Sequence, residues 1–272
     1  MGERCVRRLI LCADDFAFSS GVSGVIADLA IQGRLNATSC MSVMPNWRAD
    51  SAMLDDLPDT MQIGLHLVLT GEAPVTAMPK LAPSGEMPAI NPLARAAAAG
   101  NLPLDEIAQE IRAQFDRFEE ARGRAPDFVD GHQHSHALPG IRDIVLTETA
   151  RRAPSAWLRT CEERVGAMLV RPFRGKALGS AYHSRGLRAA AAEHGLACNR
   201  GFAGHYGFAG DYAAIFPEFL ESPGEMHLVM CHPGSGSRAG DTIAAARLQE
   251  AAALATLPIA DIAAGRGLSY PA

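Results

Sequence analysis

The sequence predicts an α/β fold: a mainly parallel sheet curled into a (β/α) barrel-like, TIM-type domain, complete or incomplete. Three observations predict it. Short apolar runs alternate with longer helical patterns over the whole chain. Seven or so such runs in 272 residues match the size of a barrel of this type. Acidic and imidazole side chains recur at the C-terminal ends of the runs, where parallel α/β folds gather their sites. A doubly wound open sheet is the competing arrangement.

In chain order, "RRLILCA" reads as a strand and "GVSGVIADLAIQGR" as a helix ending near Gly33. "ATSCMSVM" (37–44) is a second strand and "ADSAMLDDL" a short helix. "QIGLHLVL" is a third strand, opening into a Pro/Gly-bearing loop at about 70–103. A helix starts at Leu104, with Ile107, Ile111, Phe115 and Phe118 at three- and four-residue steps. "PDFVDGH" is a fourth strand; "AWLRT", "ACNRGF" and "MHLVMCH" follow, with helices around 140–152, 184–194 and 241–257. No linker or fixed-period repeat interrupts the pattern, so 1–272 reads as one domain with an inserted loop. That loop starts beside the histidine of the third strand and is expected to help form a substrate cleft.

Composition excludes several classes. The net charge is −5, from 25 basic and 30 acidic residues, which gives no polybasic footprint for nucleic acid or an anionic membrane. Six scattered cysteines (5, 12, 40, 161, 198 and 231) form no CxxC pair, and several sit in apolar runs, as reduced thiols of a cytoplasmic chain would. No apolar run approaches the ~20 residues of a membrane span. No GxxxxGK[ST] phosphate loop or GxSxG elbow occurs, and no basic cluster near the strand-end motifs offers a phosphate seat.

The chemistry is concentrated in "ADD", "GLHL", "DGHQHSH" and "CHPG". Asp14 and Asp15 are adjacent like charges at a strand end, a costly arrangement unless something positive joins them. One carboxylate with two imidazoles is a suitable first shell for a divalent metal, drawn from His66, His132 and His134. The second carboxylate is then available as general base. If the fourth strand persists, His132 and His134 share a face, and Asp130 on that face can orient an imidazole through its other ring nitrogen. His232 follows a buried strand and meets a Pro-Gly turn, a placement suited to a general acid for a leaving nitrogen. Arg159 also ends a strand and suits either a substrate contact or a structural ion pair. His183, His194, His205 and His227 lack such placement and read as surface or packing residues.

Taken together, "ILCADDFAFSSGV", "NATSCMSVMPN", "GLHLVLTGEAPV", "DFVDGHQHSH" and "CHPG" resemble, in order and spacing, the YdjC-like carbohydrate deacetylases. The resemblance spans about residues 7–250. It implies a barrel-like fold, a homodimer, a divalent metal (usually magnesium, with Zn²⁺, Mn²⁺ or Co²⁺ as alternatives) and hydrolysis of an acetamido group on an amino sugar. Carried over by position, it implies Asp15, His66 and His132 as metal ligands and Asp14 as base. His132 is favoured over His134, which becomes a substrate-facing or supporting residue. Analogy with the related NodB-type deacetylases makes His232 the acid. The family's "ADDFG" reads "ADDFA" here, so Ala17 occupies a glycine position. If that position needs φ > 0, alanine costs on the order of 1 kcal/mol.

Overall fold

The computed structural model describes residues 7–171, 174–236 and 238–270; Cys5 lies outside them. The first half runs β1 (Arg8–Phe16), α1 (Ser20–Ile31), β2 (Ala37–Cys40), α2 (Trp47–Asp50), β3 (Gln62–Leu67), α3 (Ile90–Ala98), α4 (Leu104–Arg122) and β4 (Phe128–Gly131). The second half runs α5 (Ile141–Arg152), β5 (Trp157–Leu158), α6 (Val165–Val170), α7 (Arg174–His183), α8 (Leu187–Glu193), β6 (Ala197–Cys198), β7 (Phe202–Ala203), α9 (Tyr212–Phe219), β8 (Met226–Cys231), α10 (Ala244–Thr256) and α11 (Ile259–Gly265).

All eight strands pair in parallel, in the order β6-β5-β4-β3-β2-β1-β8-β7. The sheet is an open, curled barrel, not a closed one. Its two edges are β6 and β7, consecutive in the chain but not paired with each other. The single strand expected over 197–202 is thus two strands of two residues each. Asn199 explains the break. Its side chain accepts from the Thr160 N–H and donates to the Thr160 and Gly201 carbonyls, so the turn is tied to the end of β5 instead of continuing a ladder.

Period-2 alternation sorts the strands into two apolar layers. Ile10, Cys12, Phe128, Trp157, Phe202, Leu228 and Met230 form one buried cluster on the inner face. Their neighbours Leu9, Leu11, Leu65, Val129, Leu158 and Val229 join the larger cluster that packs against the helices. Phe128 and Trp157 stack at 4.4 Å inside the curl. Gly64 leaves room for them: a Cβ there would sit 2.4 Å from the Phe128 ring.

Other departures from the sequence reading have local causes. β2 stops at Cys40, not residue 44, because the chain turns through Met41 to Met44 into α2. β4 ends at Gly131, and Gln133 and His134 then take φ of 53° and 59°. The helices α3, α6, α7, α9 and α11 lie outside those the apolar periodicity predicts. α3 falls within the 70–103 loop, whose first part is anchored by buried acids of α4. Glu110 accepts from the Val75 and Thr76 N–H groups, and Glu106 from those of Lys80 and Leu81.

Candidate active site and metal centre

The inner-face alternation continues past the apolar layer into polar residues. Two residues beyond Cys12 comes Asp14; beyond Gly64, His66; beyond Phe128, Asp130; beyond Trp157, Arg159; beyond Met230, His232. Each thus arrives at the C-terminal mouth of the barrel by strand geometry alone. Asp15 has the wrong parity for this. A bulge corrects it: Ala13 pairs with Thr38 and Phe16 with Cys40, three steps on β1 against two on β2. Asp15 has φ 68° and Ala17 φ 72°, both left-handed. Aspartate tolerates this conformation better than most residues, whereas for alanine it costs about 1–2 kcal/mol. The positive φ at the position of the family's glycine is therefore present, and this chain bears its cost.

The bulge brings Asp15 to two imidazoles. Its Oδ1 lies 3.1 Å from His132 Nδ1 and 3.4 Å from His66 Nε2. One donor atom from each of Asp15, His66 and His132 fits within 4.8 Å of the others. Nδ1 of His66 lies 2.7 Å from Asp130 Oδ1 and 3.0 Å from Ser39 Oγ, which turns Nε2 toward Asp15. Ser39 in turn donates to Asp130. Asp130 thus orients an imidazole, that of His66 on the neighbouring strand, in register with it. Burial pulls the His66 pKa down, but Asp130 and then Asp15 outweigh it and raise it to about 10. Burial pushes the Asp15 carboxyl up, and Arg247 followed by His132 holds it well below the usual range. Oxygen and imidazole donors with a supported tautomer suit a divalent cation.

Asp14 has a different neutraliser. Arg159 grips it with both terminal nitrogens at 2.6 Å, and one of them also lies 2.6 Å from Asp130 Oδ2. Arg159 is 0% exposed and Asp14 is 2% exposed. Of its two readings Arg159 is therefore the ion pair; it does not reach the cleft. Its guanidinium also fills the space among Cys12, Asp14 and Asp130, a second cluster of possible ligand atoms. The like charges of "DD" are separated by partners: Arg159 for Asp14, and Arg247 with the two histidines for Asp15.

His134 does not share a face with His132, because the left-handed residues at 133 and 134 end the strand alternation. It still lines the cleft, with its ring 5.5 Å from that of His205. Burial, then His205 and Arg159, hold it well below its ordinary pKa. His205 joins the cleft against the sequence expectation, whereas His227 is buried on the Phe219 carbonyl, as expected of a packing residue. His136, the last imidazole of the motif, is buried on the Arg159 carbonyl. His232 lines the cleft and contacts the Phe208 ring at 5.5 Å. Burial lowers it to about 4, against the pull of Asp15 and Asp14. It is neutral near pH 7, not the protonated imidazole the sequence reading requires at rest. Its backbone N–H donates to Glu250, which burial pushes up to about 7 and which also accepts from the Tyr206 hydroxyl at 2.5 Å.

The cleft encloses about 1210 Å³. Glu72, Pro74, Val75 and Glu86 of the 70–103 loop form one wall, as expected. The lining also carries Arg238, Arg247 and Arg117, so three arginines gather where the sequence offered no basic cluster. Each is engaged by protein groups. Arg238 is clamped by Glu72 at 2.5 and 2.6 Å, Arg247 by Asp15 and Asp241, and Arg117 by the Val43 and Met44 carbonyls. Arg247 is the residue the sequence reading missed. It stands 232 positions from Asp15 on an alanine-rich helix, with no local signal.

The family model for YdjC-like proteins matches residues 8–263. The chain belongs to the YdjC-like family. Among curated relatives, proteins named chitooligosaccharide deacetylase match part of it. The one from Enterobacter sp. (strain 638) is 36% identical over 144 residues, covering 53% of this chain and 56% of that protein. The one from Yersinia pestis (strain Pestoides F) is 42% identical over 141 residues, covering 50% and 53%. The chain therefore spans about half the length of the curated relatives it matches. A proposed cellobiose-phosphate cleavage protein from Enterococcus faecalis V583 shares the fold. It has a TM-score of 0.70 at 18% identity, with 97% of both chains covered. Among the described residues, no helix is long and apolar enough to cross a membrane.

Proposed function

We propose that this YdjC-like chain is a carbohydrate N-deacetylase that removes an acetyl group from an acetylated amino sugar or oligosaccharide, releasing acetate. The observation that carries the reading is the convergence of Asp15, His66 and His132 beside a second, separately neutralised carboxylate in one cleft. The names of its relatives support the substrate class. Asp15, His66 Nε2 and His132 Nδ1 would hold a divalent cation, Mg²⁺ in our reading. Such a cation would supply Lewis acidity and make a bound water more acidic than bulk water.

The chain's own residues then divide the remaining work. Asp14 takes the proton of the attacking water. Arg159 occupies one lone pair on each Asp14 oxygen, fixes the carboxylate plane and leaves acceptor capacity toward the cleft. His232 delivers a proton to the departing nitrogen, since an amine anion is a very poor leaving group. Because it rests neutral, it must take up that proton within each turnover. His134 and the 70–103 wall border the bound sugar. The same reading places the protein in the cytoplasm, as its cysteine usage suggests, and as a homodimer, a state often found in the family it resembles.

The test is acetate release from N-acetylated chitobiose and longer chitooligosaccharides by chelated protein, reloaded with Mg²⁺, Mn²⁺, Zn²⁺ or Co²⁺. Release that depends on the added metal is expected. Cation binding without release from any acetylated sugar would point to another bond, a phosphoester among them. Neither binding nor release would point to a catalytically silent carbohydrate-binding protein.

A further inference from the structure

The metal reading depends on Asp15 staying in a backbone conformation that its own sequence disfavours. Two left-handed residues, Asp15 and Ala17, flank Phe16, and neither is glycine. Something must hold this turn against relaxation, because non-glycine residues persist at positive φ only where their surroundings over-determine them.

Besides backbone bonds from Phe18 to the Asp15 carbonyl and from Met41 to the Phe16 carbonyl, one buried chain of side-chain hydrogen bonds reaches it. The Ala17 N–H donates to Ser23 Oγ at 2.9 Å. Ser23 is fully buried on α1 and donates to Asp50 Oδ2 at 2.7 Å. Asp50, 3% exposed on α2, also accepts from Asn46 Nδ2 at 2.6 Å and from Ser20 Oγ at 2.9 Å. These donors are all neutral, and three of them converge on one carboxylate beside the first turn of α1. Both Asp50 oxygens are occupied as acceptors, which fixes the direction of the Ser23 hydroxyl. Ser23 Oγ also lies 3.2 Å from the Ser19 carbonyl, but the nearer and charged Asp50 takes its hydrogen, so Ser23 Oγ presents a lone pair to Ala17. None of these residues lines the cleft or touches the ligand atoms.

We propose that Ser23 and Asp50 are positioning residues for the metal-ligand carboxylate, holding the Asp15–Ala17 turn in its left-handed shape through the Ala17 N–H. The inference rests on the metal reading above. It also explains how this chain tolerates Ala17: an outside brace supplies what glycine's conformational freedom would otherwise provide.

The test uses the chelated full-length protein and Co²⁺ alone, titrated calorimetrically, with circular dichroism and thermal melting alongside. Ser23→Ala should weaken Co²⁺ binding by about 10-fold or more, the scale typical of residues that orient metal ligands. The double variant Ala17→Gly/Ser23→Ala should recover most of that loss, since glycine adopts φ near 70° without a brace. Simple loss of helix packing would lower the melting temperature without changing Co²⁺ affinity, and glycine would not repair it. Should Ser23→Ala fail to fold, Asp50→Asn replaces it. Asparagine offers one acceptor where two are used, and a severalfold weakening is expected. Unchanged Co²⁺ affinity in a folded Ser23→Ala or Asp50→Asn protein would overturn the proposal while leaving the metal reading intact. Wild-type protein that binds no Co²⁺ would overturn both.

Discussion

Replacing Arg159 with methionine keeps most of the volume inside the barrel but removes the guanidinium shared by Asp14 and Asp130. The guanidinium makes three contacts of 2.6 Å to these carboxylates, and none of the three residues is more than 2% exposed. Removing one partner of a buried ion pair costs about 3–5 kcal/mol because the other charge is stranded. Here Asp14 is stranded, whereas Asp130 keeps the cationic His66 at 2.7 Å, so the lower figure, about 3 kcal/mol at pH 7, is the expected loss. For a chain of this size that lowers the melting temperature by roughly 6–12 °C. The pH dependence separates charge from packing. In the wild type burial raises the Asp130 pKa, but Arg159 and then His66 pull it down to about 2, so its stabilisation is present above pH 3.8 and lost as pH falls through 2. In the variant Asp130 loses the stronger of its two cationic partners, so its carboxyl moves up and binds a proton more readily than in the wild type. The penalty should therefore shrink on acidification, by about 1.4 kcal/mol per pH unit wherever Asp130 has bound a proton in the variant but not in the wild type. Urea denaturation of both proteins at pH 7 and pH 5 measures this. A loss below about 1 kcal/mol at pH 7, or an equal loss at both pH values, would refute the reasoning.

Further outcomes follow from the same geometry. His66, raised to about 10 from 6.5, stabilises the metal-free protein fully below pH 6.5 and loses that contribution as pH rises through 10. Melting curves in chelator should fall from pH 7 to 9.5 in the wild type but not in His66→Ala, which should also lose metal and activity; equal slopes would remove His66 from this role. Asp14→Asn should lower turnover by about 10²- to 10⁴-fold with metal content unchanged by elemental analysis; loss of metal instead would exchange the roles of Asp14 and Asp15. His232→Ala should slow amide substrates far more than an activated acetate ester, which needs no proton on departure, and an equal loss on both would make His232 a binding residue. Glu110→Ala, which frees the loop backbone at Val75 and Thr76, should change the preferred oligosaccharide length without altering metal affinity; unchanged preference in a folded variant would detach the loop from recognition.

Residues placed by strand periodicity were the legible part of this molecule. Asp14, His66, Asp130, Arg159 and His232 all follow apolar inner-face residues at a spacing of two, so a sequence pattern suffices to bring them to one mouth. Residues placed by exceptions to periodicity were not legible from the pattern, and Asp15 was named only by the motif and the resemblance. Asp15 reaches the site only through a bulge, and His134 leaves the expected face because two consecutive residues turn left-handed. Arg247 depends on the docking of α10 against β1, a contact between chain positions 232 apart. The partition of 197–202 into opposite sheet edges likewise hangs on one side chain, Asn199, whose tertiary hydrogen bonds have no local signature. The 70–103 stretch reads as loop from its prolines, and α3 within it covers little more than Leu93 and Ala97.

The strand order also governs the route by which this chain folds. β1 is made first and lies in the middle of the sheet, and its partner β8 is made nearly last: Arg8 pairs with Met226. During synthesis β1 can pair with β2, which β3 and β4 then extend, while its other flank waits for about two hundred residues to emerge. That unpaired flank is an apolar sheet edge, the kind that recruits foreign strands. Closure of a loop this long is slow compared with local pairing. Arg247 and His232 arrive with that same last piece, so Asp15 gains its guanidinium partner only when β8 and α10 have docked.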